Sequence, residues 1–200
     1  MKVIYIRHGE TLENAKGIVM GQQQGRLSKR GIAQAERIAK KLRNIKIDAI
    51  YSSDLQRAYR TAQIIAGLHK PALHVAKAKA LRECYYGRLQ GKPRKDYGGE
   101  EEFRYRYFAG EFKKYGVEDP KKAYMRVSNF IKRVYEKHKN KDIAIVSHGS
   151  LFRIFAAAIY GIKLESAVGI QAPENCEAIV FEIKKHGDKF HSKLVMNIRA

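Results

Sequence analysis

Two short segments of the chain carry chemistry-bearing residues in the same pattern. Arg7-His8-Gly9-Glu10 follows the apolar run KVIYI at 2–6, and Ser147-His148-Gly149-Ser150 follows DIAIV at 142–146. Each run is short, apolar and rich in β-branched residues, which predicts a buried strand. In open α/β sheets the loops leaving the carboxyl ends of strands form the binding crevice. Two histidines at two such ends can therefore face each other across one pocket. The glycine after each lets the backbone approach a ligand closely. Backbone N–H groups at the start of a following helix favour an anion.

The elements that must position these residues are legible along the rest of the chain. Ser28 is the predicted N-cap of a helix whose Ala35, Ile38, Ala39 and Leu42 form one apolar stripe. IDAIY at 47–51 reads as a second strand, and Ser52 or Ser53 as the cap of a helix closed by Gly67. A short strand is expected near Leu73–Val75. Asp119 caps a helix with Pro120 at its first position and Tyr124, Val127, Ile131 and Val134 on its apolar face. The helix LFRIFAAAIY follows Ser150 and ends at Gly161. Two closing strands, Ala178–Ile183 and Phe190–Ile198, flank a turn at His186-Gly187-Asp188. Strands alternating with helices predict an α/β protein, a three-layer α/β/α sandwich around a mostly parallel central sheet. Residues 84–118 differ: Tyr85, Tyr86, Tyr97, Phe103, Tyr105 and four further aromatics crowd this stretch. It reads as an insertion over the binding crevice within a single domain spanning 1–200. About half of these aromatics are expected to be packing residues.

Composition narrows the class. The chain has 200 residues, 44% of them hydrophobic, enough for one core of ordinary size. No apolar run is long enough to span a bilayer, and MKVIYIRHGE is too short and too charged for a secretory leader. Cys84 and Cys176 make neither a CxxC pair nor a disulfide framework. A cytoplasmic protein with reduced thiols is the expectation. Forty Lys and Arg against twenty Asp and Glu give a formal charge of +20. The basic residues are spread along the whole chain rather than gathered in a tail. That favours a diffuse field drawing in an anionic substrate over a nucleic-acid-binding role. A lysine-rich surface of the thermophile kind is the plainer reading of the same charge. The histidines show no HxH or HExxH spacing, so no metal site is expected.

Arg7-His8-Gly9-Glu10-Thr11 resembles the signature of the histidine phosphatase superfamily, which includes the cofactor-dependent phosphoglycerate mutases. The resemblance covers nearly the whole chain. Leu27–Ala35 is similar to the family's "LTxxGxxQA" helix start. Ser52–Ala58 with Thr61-Ala62 is similar to "SSxLxRAxxTA". Leu81-Arg82-Glu83 matches the loop carrying the acid/base glutamate, and Val146–Gly149 the second histidine. The resemblance implies the phosphoglycerate mutase-like fold and five catalytic residues. His8 would become phosphohistidine, since a neutral imidazole is available near neutral pH. Arg7, Arg57 and His148 would surround the phosphoryl oxygens, where guanidinium forks suit phosphate geometry. Glu83 would protonate the leaving oxygen and then take a proton from water. Asn14 and the Gly21 loop match further family positions that contact the phosphate, and Gly149, Tyr86 and Thr11 are further candidates for substrate binding. The family's "GxxDxPLT" loop departs here, with Gln24 and Arg26 in place of Asp and Pro.

Phosphatase and mutase share the phosphoenzyme and differ in who receives the phosphoryl group. Cys84–Lys92 is similar to the mutase stretch "ERHYGxLQGxxK", although Cys84-Tyr85 replaces its Arg-His. The adjacent arginines that grip substrate in mutases have only Arg104 and Arg106 as counterparts, separated by Tyr105. Mutases also carry a C-terminal tail that closes the site against water, and here the sequence stops after the last predicted strand. The expectation is a metal-independent phosphatase needing no cofactor. A mutase primed by 2,3-bisphosphoglycerate is the alternative, and a non-catalytic phosphate or nucleic-acid binder a remote third. The expected partner is a small phosphorylated substrate; symmetry alone favours a homodimer. Cys84 is read as an ordinary small residue, Glu10 and Ser150 as loop caps. His69, His74, His138, His186 and His191 carry no motif and are read as surface residues.

Overall fold

The computed structural model describes residues 1–187 and 189–200. Six strands form one mixed sheet: β1 (Lys2–Arg7), β2 (Ala49–Ser52), β3 (Val75–Lys77), β4 (Ile143–Ser147), β5 (Ala178–His186) and β6 (Lys189–Ile198). Their order is β3-β2-β4-β1-β5-β6. The first four strands in that order are parallel; β5 and β6 close the sheet antiparallel. The mostly parallel sheet read from the sequence is therefore present, completed by an antiparallel pair. The predicted turn between β5 and β6 includes Asp188, which lies outside the described residues.

Strand alternation splits the core into two layers. Val3 and Tyr5 of β1, with Ile143 and Ile145 of β4, face one layer. Ile4 and Ile6, with Ala144 and Val146, face the other. A buried central strand must be apolar on both faces, which is why these runs show no polar alternation. The second layer is covered by α2 (Lys29–Leu42) and α3 (Gln56–Gly67), and the first by α5 (Pro120–Lys137) and α6 (Gly149–Tyr160). The stripe Ala35, Ile38, Ala39 and Leu42 is buried on α2, and Ser28 caps that helix by accepting the Gly31 N–H. Asp119 and Pro120 open α5 as expected.

Several boundaries differ from the sequence reading. Leu55, not Ser52 or Ser53, is the N-cap of α3, and Gly67 is its last residue. Both serines are fully buried: Ser53 Oγ meets His148 Nε2, and Ser52 Oγ donates to the Ser53 carbonyl. The strand expected at 73–75 lies at 75–77, set by its pairing of Val75 with Ile50. His69 is buried rather than superficial, and His138 is half-buried with its Nε2 2.7 Å from the Tyr51 hydroxyl. Between β3 and α5, residues 84–118 form short 3-10 turns and one helix, α4 (Gly99–Phe108). A short helix, α1 (Leu12–Ala15), follows β1. Tyr86, Phe103, Tyr107 and Phe112 of the aromatic stretch are buried in the same layer as α5 and α6. Edge-to-face contacts such as Tyr86–Phe103, with centroids 5.1 Å apart, hold them. No described helix is long and apolar enough to cross a membrane.

Candidate active site

The register of β1 on β4 sets Arg7 opposite Ser147. Parallel strands ending in register send their next residues out side by side, so His8 and His148 leave the sheet together. Their rings lie with centroids 5.1 Å apart. The His8 N–H donates to the Ser147 carbonyl at 3.0 Å, carrying the ladder one step past the strand.

The loop after His8 is pinned by residues of the two helices beneath it. The Gly9 N–H donates to Thr61 Oγ1 of α3 at 3.1 Å, and the Glu10 N–H to Gln34 Oε1 of α2 at 2.9 Å. Ser28 Oγ donates to Glu10 Oε1 at 2.9 Å. Gly9 and Gly31 let the loop and α2 touch by backbone: a Cβ on Gly9 would stand 2.5 Å from the Gly31 carbonyl oxygen. Glu10 is thus a structural acceptor. Asn175 Nδ2 donates to the His8 carbonyl at 2.8 Å, closing the loop from the other side.

These anchors fix the His8 ring. Its Nδ1 lies 2.7 Å from the Gly9 carbonyl. A carbonyl only accepts, so in the neutral ring Nδ1 carries the proton and Nε2 the lone pair. Arg57 Nε donates toward that Nε2 at 3.2 Å. His8 is 4% exposed. Burial, then the Arg57 and Arg7 charges, pushes its pKa well below the usual imidazole value. A neutral imidazole with Nε2 toward a guanidinium is a nucleophile placed beside an anion binder. His148 is fully buried and also held neutral, first by burial and then by Arg57 and His8. Its Nε2 is 2.9 Å from Ser53 Oγ, its Nδ1 is buried without a partner, and its carbonyl accepts the Tyr5 hydroxyl.

Arg57 belongs to the first turn of α3 and is 1% exposed. Its Nη2 and Nη1 donate to the Gly21 and Gln23 carbonyls at 2.7 and 2.8 Å, which folds the 20–24 loop over the site. Gly21 turns that loop at φ +53, where a side chain would collide with Gln90. Burial lowers the Arg57 guanidinium to about 10. At the departure from the family loop, Gln24 Oε1 accepts the Gln56 N–H at 3.0 Å. It supplies the α3 cap that Leu55 cannot. Arg7 donates from Nη1 to the Pro173 carbonyl at 3.0 Å, while its Nε is buried without a partner. Its guanidinium lies against the first turn of α6; a Cβ on Gly149 would come within 3.4 Å of it.

Glu83 follows the 3-10 turn Lys79–Leu81 after β3. Its carboxylate accepts the Leu151 N–H at 2.9 Å, the Ser150 N–H at 3.1 Å and the Cys84 N–H at 3.0 Å. Two of these donors open α6, a favourable seat for a carboxylate. The backbone around Glu83 is clasped from α5. Arg126 donates from Nη1 to the Ala80 and Arg82 carbonyls at 2.6 and 2.8 Å, and from Nη2 to the Glu83 carbonyl at 3.2 Å. Glu118 holds Arg126 in place at 2.8 Å and accepts the Tyr85 N–H. Arg82 pairs through two bonds with Asp54, at 2.7 and 2.6 Å. Cys84 is fully buried, and burial raises its thiol well above the ordinary value, so it is no nucleophile.

The structure gathers Arg7, His8, Arg57 and Glu83 around one cleft of about 240 Å³, with Asn14, Gly21, Tyr86 and Gly149 also on its walls. His148, fully buried beside His8, does not line the cleft. Asn14 Oδ1 accepts the Thr11 N–H at 3.3 Å, leaving its amide NH2 as the donor end. Thr11 is fully buried as the cap of α1 and does not line the cleft. Arg104 and Arg106 do not line it either. They pair with Glu101 at 3.6 Å and Glu111 at 2.9 Å. Arg94, Glu100 and Arg153 line it and were not singled out as site residues. Arg153 had a signal: it is the lone charge in the apolar helix LFRIFAAAIY. Among the described residues no cluster of three His, Cys, Asp or Glu side chains is arranged to hold a metal.

A paired-histidine site at adjacent strand ends of this sheet defines the class. The family model of the histidine phosphatase superfamily (branch 1) matches residues 3–195. The chain belongs to that superfamily and is an enzyme of this kind. It is 32% identical to phosphoglycerate mutase-like protein 4 of Arabidopsis thaliana, over 94% of this chain and 82% of that protein. It is 32% identical to phosphoserine phosphatase 1 of Hydrogenobacter thermophilus, over 82% of this chain and 78% of that one. The structure of phosphoserine phosphatase from Entamoeba histolytica in complex with 3-phosphoglyceric acid superposes with a TM-score of 0.82. That match has 27% identity and covers 100% of this chain and 97% of the other.

Proposed function

We propose that this chain is a phosphomonoesterase acting on a small phosphorylated substrate through a phosphohistidine on His8. The observation that carries the reading is the orientation of His8: Nδ1 is committed to the Gly9 carbonyl and Nε2 faces Arg57. Nε2 attacks phosphorus as the bond to the leaving oxygen breaks, and Glu83 in its acid form protonates that oxygen. Glu83, now a carboxylate, takes a proton from water, which attacks phosphorus; the P–N bond breaks and phosphate leaves. Arg7 and Arg57 balance the charge of the in-flight phosphoryl group, with the Asn14 amide and the neutral His148 ring as hydrogen-bonding groups beside it. The reaction needs no cofactor in this reading. Residues 1–200 act as one catalytic domain, with the 84–118 stretch over the cleft.

Hydrolysis of p-nitrophenyl phosphate by wild type and His8→Ala, with a chelator present, tests this. Activity that survives the chelator and falls at least about a thousandfold in the variant is expected. Equal activity in both would overturn the reading. Phosphoglycerate mutase, primed by 2,3-bisphosphoglycerate, is the second reading. It is favoured by the Cys84–Lys92 stretch and by mutases among the relatives, such as that of Schizosaccharomyces pombe. Interconversion of 2- and 3-phosphoglycerate outrunning phosphate release would select it.

A further inference from the structure

The proton of the His8 ring stays on Nδ1 only while the Gly9 carbonyl stands 2.7 Å away to accept it. Glycine has too little conformational preference of its own to hold a carbonyl in one place. The grip must come from outside. The peptide unit between His8 and Gly9 is held at both ends: its N–H donates to Thr61 Oγ1 at 3.1 Å, and its carbonyl accepts Asn175 Nδ2 at 2.8 Å. A carbonyl only accepts, so the NH2 end of the Asn175 amide must face it. Gln34 takes the N–H of the next unit at 2.9 Å. Thr61 and Gln34 reach the loop from α3 and α2, whereas Asn175 reaches it from the segment leading into β5.

That segment is unusual in its backbone. The Glu177 N–H donates to the Glu174 carbonyl at 3.0 Å, closing a turn over 174–177. Two residues of the turn then stand opposite one residue of β1. The Cys176 N–H donates to the Arg7 carbonyl at 3.0 Å, and the Arg7 N–H donates to the Glu177 carbonyl at 3.2 Å. This is the pattern of a β-bulge whose first residue is left-handed and ordinarily glycine. Cys176 takes that position at φ +59 and is fully buried. A side chain is strained there, and the strain persists only where the surroundings over-determine it.

Glu177 supplies the constraint. It is 5% exposed, and its carboxylate accepts the Glu174 N–H at 2.6 Å, Asn197 Nδ2 at 2.6 Å and Arg199 Nε at 3.0 Å. Burial works to raise its pKa, but these donors outweigh burial and hold it below the usual value. Asn197 belongs to β6, and Lys41 of α2 donates to the Arg199 carbonyl at 2.7 Å. The turn is thus tied to the end of the last strand. The same segment also holds Arg7, whose Nη1 donates to the Pro173 carbonyl.

We propose that Asn175 is a positioning residue for the His8 nucleophile. Carried on the strained 174–177 turn and braced through Glu177 against the end of β6, it locks the His8–Gly9 peptide and with it the proton on Nδ1. The lone pair is then on Nε2, the atom that faces Arg57. Without the lock the Gly9 carbonyl is free to turn away, and the ring can carry its proton on Nε2 instead. A protonated Nε2 has no lone pair to offer phosphorus. This rests on the reading of His8 as the nucleophile.

Nitrogen-15 NMR of the histidine-labelled chain, at a pH where the ring is neutral, reads the tautomer without turnover. Comparison with His8→Asn identifies the His8 signals. The wild type should carry the His8 proton on Nδ1. Asn175→Ala should move a substantial share of the ring to the Nε2–H form. It should also lower kcat on p-nitrophenyl phosphate by about tenfold, the size of one hydrogen bond, with KM little changed. Asn175→Asp keeps the shape of the side chain but turns an acceptor toward the His8 carbonyl. The same shift and loss are expected, and this variant reports even if the alanine variant does not fold. A His8 tautomer that neither variant moves would overturn the proposal whatever happens to kcat, because a merely structural residue leaves the tautomer alone. A shifted tautomer with unchanged kcat would overturn it too. Phosphatase activity surviving in His8→Asn would instead sink the phosphohistidine reading, and the tautomer would still decide the role of Asn175.

Discussion

At the scale of single residues, the roles of His8 and Glu83 separate by leaving group. In the proposed mechanism His8 attacks phosphorus whatever the alcohol, whereas a proton donor matters only when the departing oxygen is basic. Glu83→Gln keeps the shape of the side chain and removes the proton. It is expected to cut kcat on an alkyl phosphate by about 10²- to 10⁴-fold. The loss on p-nitrophenyl phosphate, whose leaving group is already a stable anion, should be far smaller. Equal losses on both would remove Glu83 from the proton path. At this scale the sequence spoke through motif residues and was silent about charge. Arg7, His8, Arg57 and Glu83 could be named because each sits in a motif. Thr11 sits in one too, yet its hydroxyl is turned inward onto the Asn14 N–H and Met20. Arg153 reaches the cleft through the direction of α6, which local spacing does not reveal.

At the scale of elements, the site depends on how helices grip loops. Thr61 and Gln34 each take one backbone N–H of the His8 loop, which explains two otherwise unremarkable motif positions. Arg126 does the same for Glu83 from α5, with no motif to announce it. Arg126→Met leaves Glu83 in place chemically but frees the carbonyls of residues 80, 82 and 83. The expected result is a weaker copy of Glu83→Gln: about tenfold slower on the alkyl phosphate, or ~1.4 kcal/mol, and less on p-nitrophenyl phosphate. A loss of equal size on both substrates would mark Arg126 as a stability residue only. Strands and helices with long periodic or apolar runs were readable, as were the caps Ser28 and Asp119. The start of α3 was not, because the serines that look like its caps face His148 and the interior. The ends of β2 and β3 were set by pairing across the sheet, which no local pattern encodes.

At the scale of the whole molecule, two buried neutral histidines couple stability to pH. The folded chain holds the pKa values of His8 and His148 well below the usual value near 6.5. The unfolded chain protonates both below ~6.5. From there down to the folded pKa values the unfolded state binds more protons. The stability present above ~6.5 is therefore lost as pH falls, by about 1.4 kcal/mol per pH unit for each histidine. Urea midpoints at pH 7.5 and 5.5 should show a steeper fall in the wild type than in a His8→Asn/His148→Gln double variant. Parallel falls would contradict this. A formal charge of +20 predicts a long-range attraction for anionic substrates, which added salt should weaken. The proposed mechanism centres on one chemical event, the transfer of a phosphoryl group to His8 Nε2. Rapid quench during turnover, followed by peptide mass analysis under alkaline conditions, looks for that group directly. An acid-labile phosphoryl group on the peptide containing His8, absent from His8→Ala, is the predicted result. Steady turnover with no phosphoryl group on that peptide at any quench time, or with one on another residue, would contradict the mechanism.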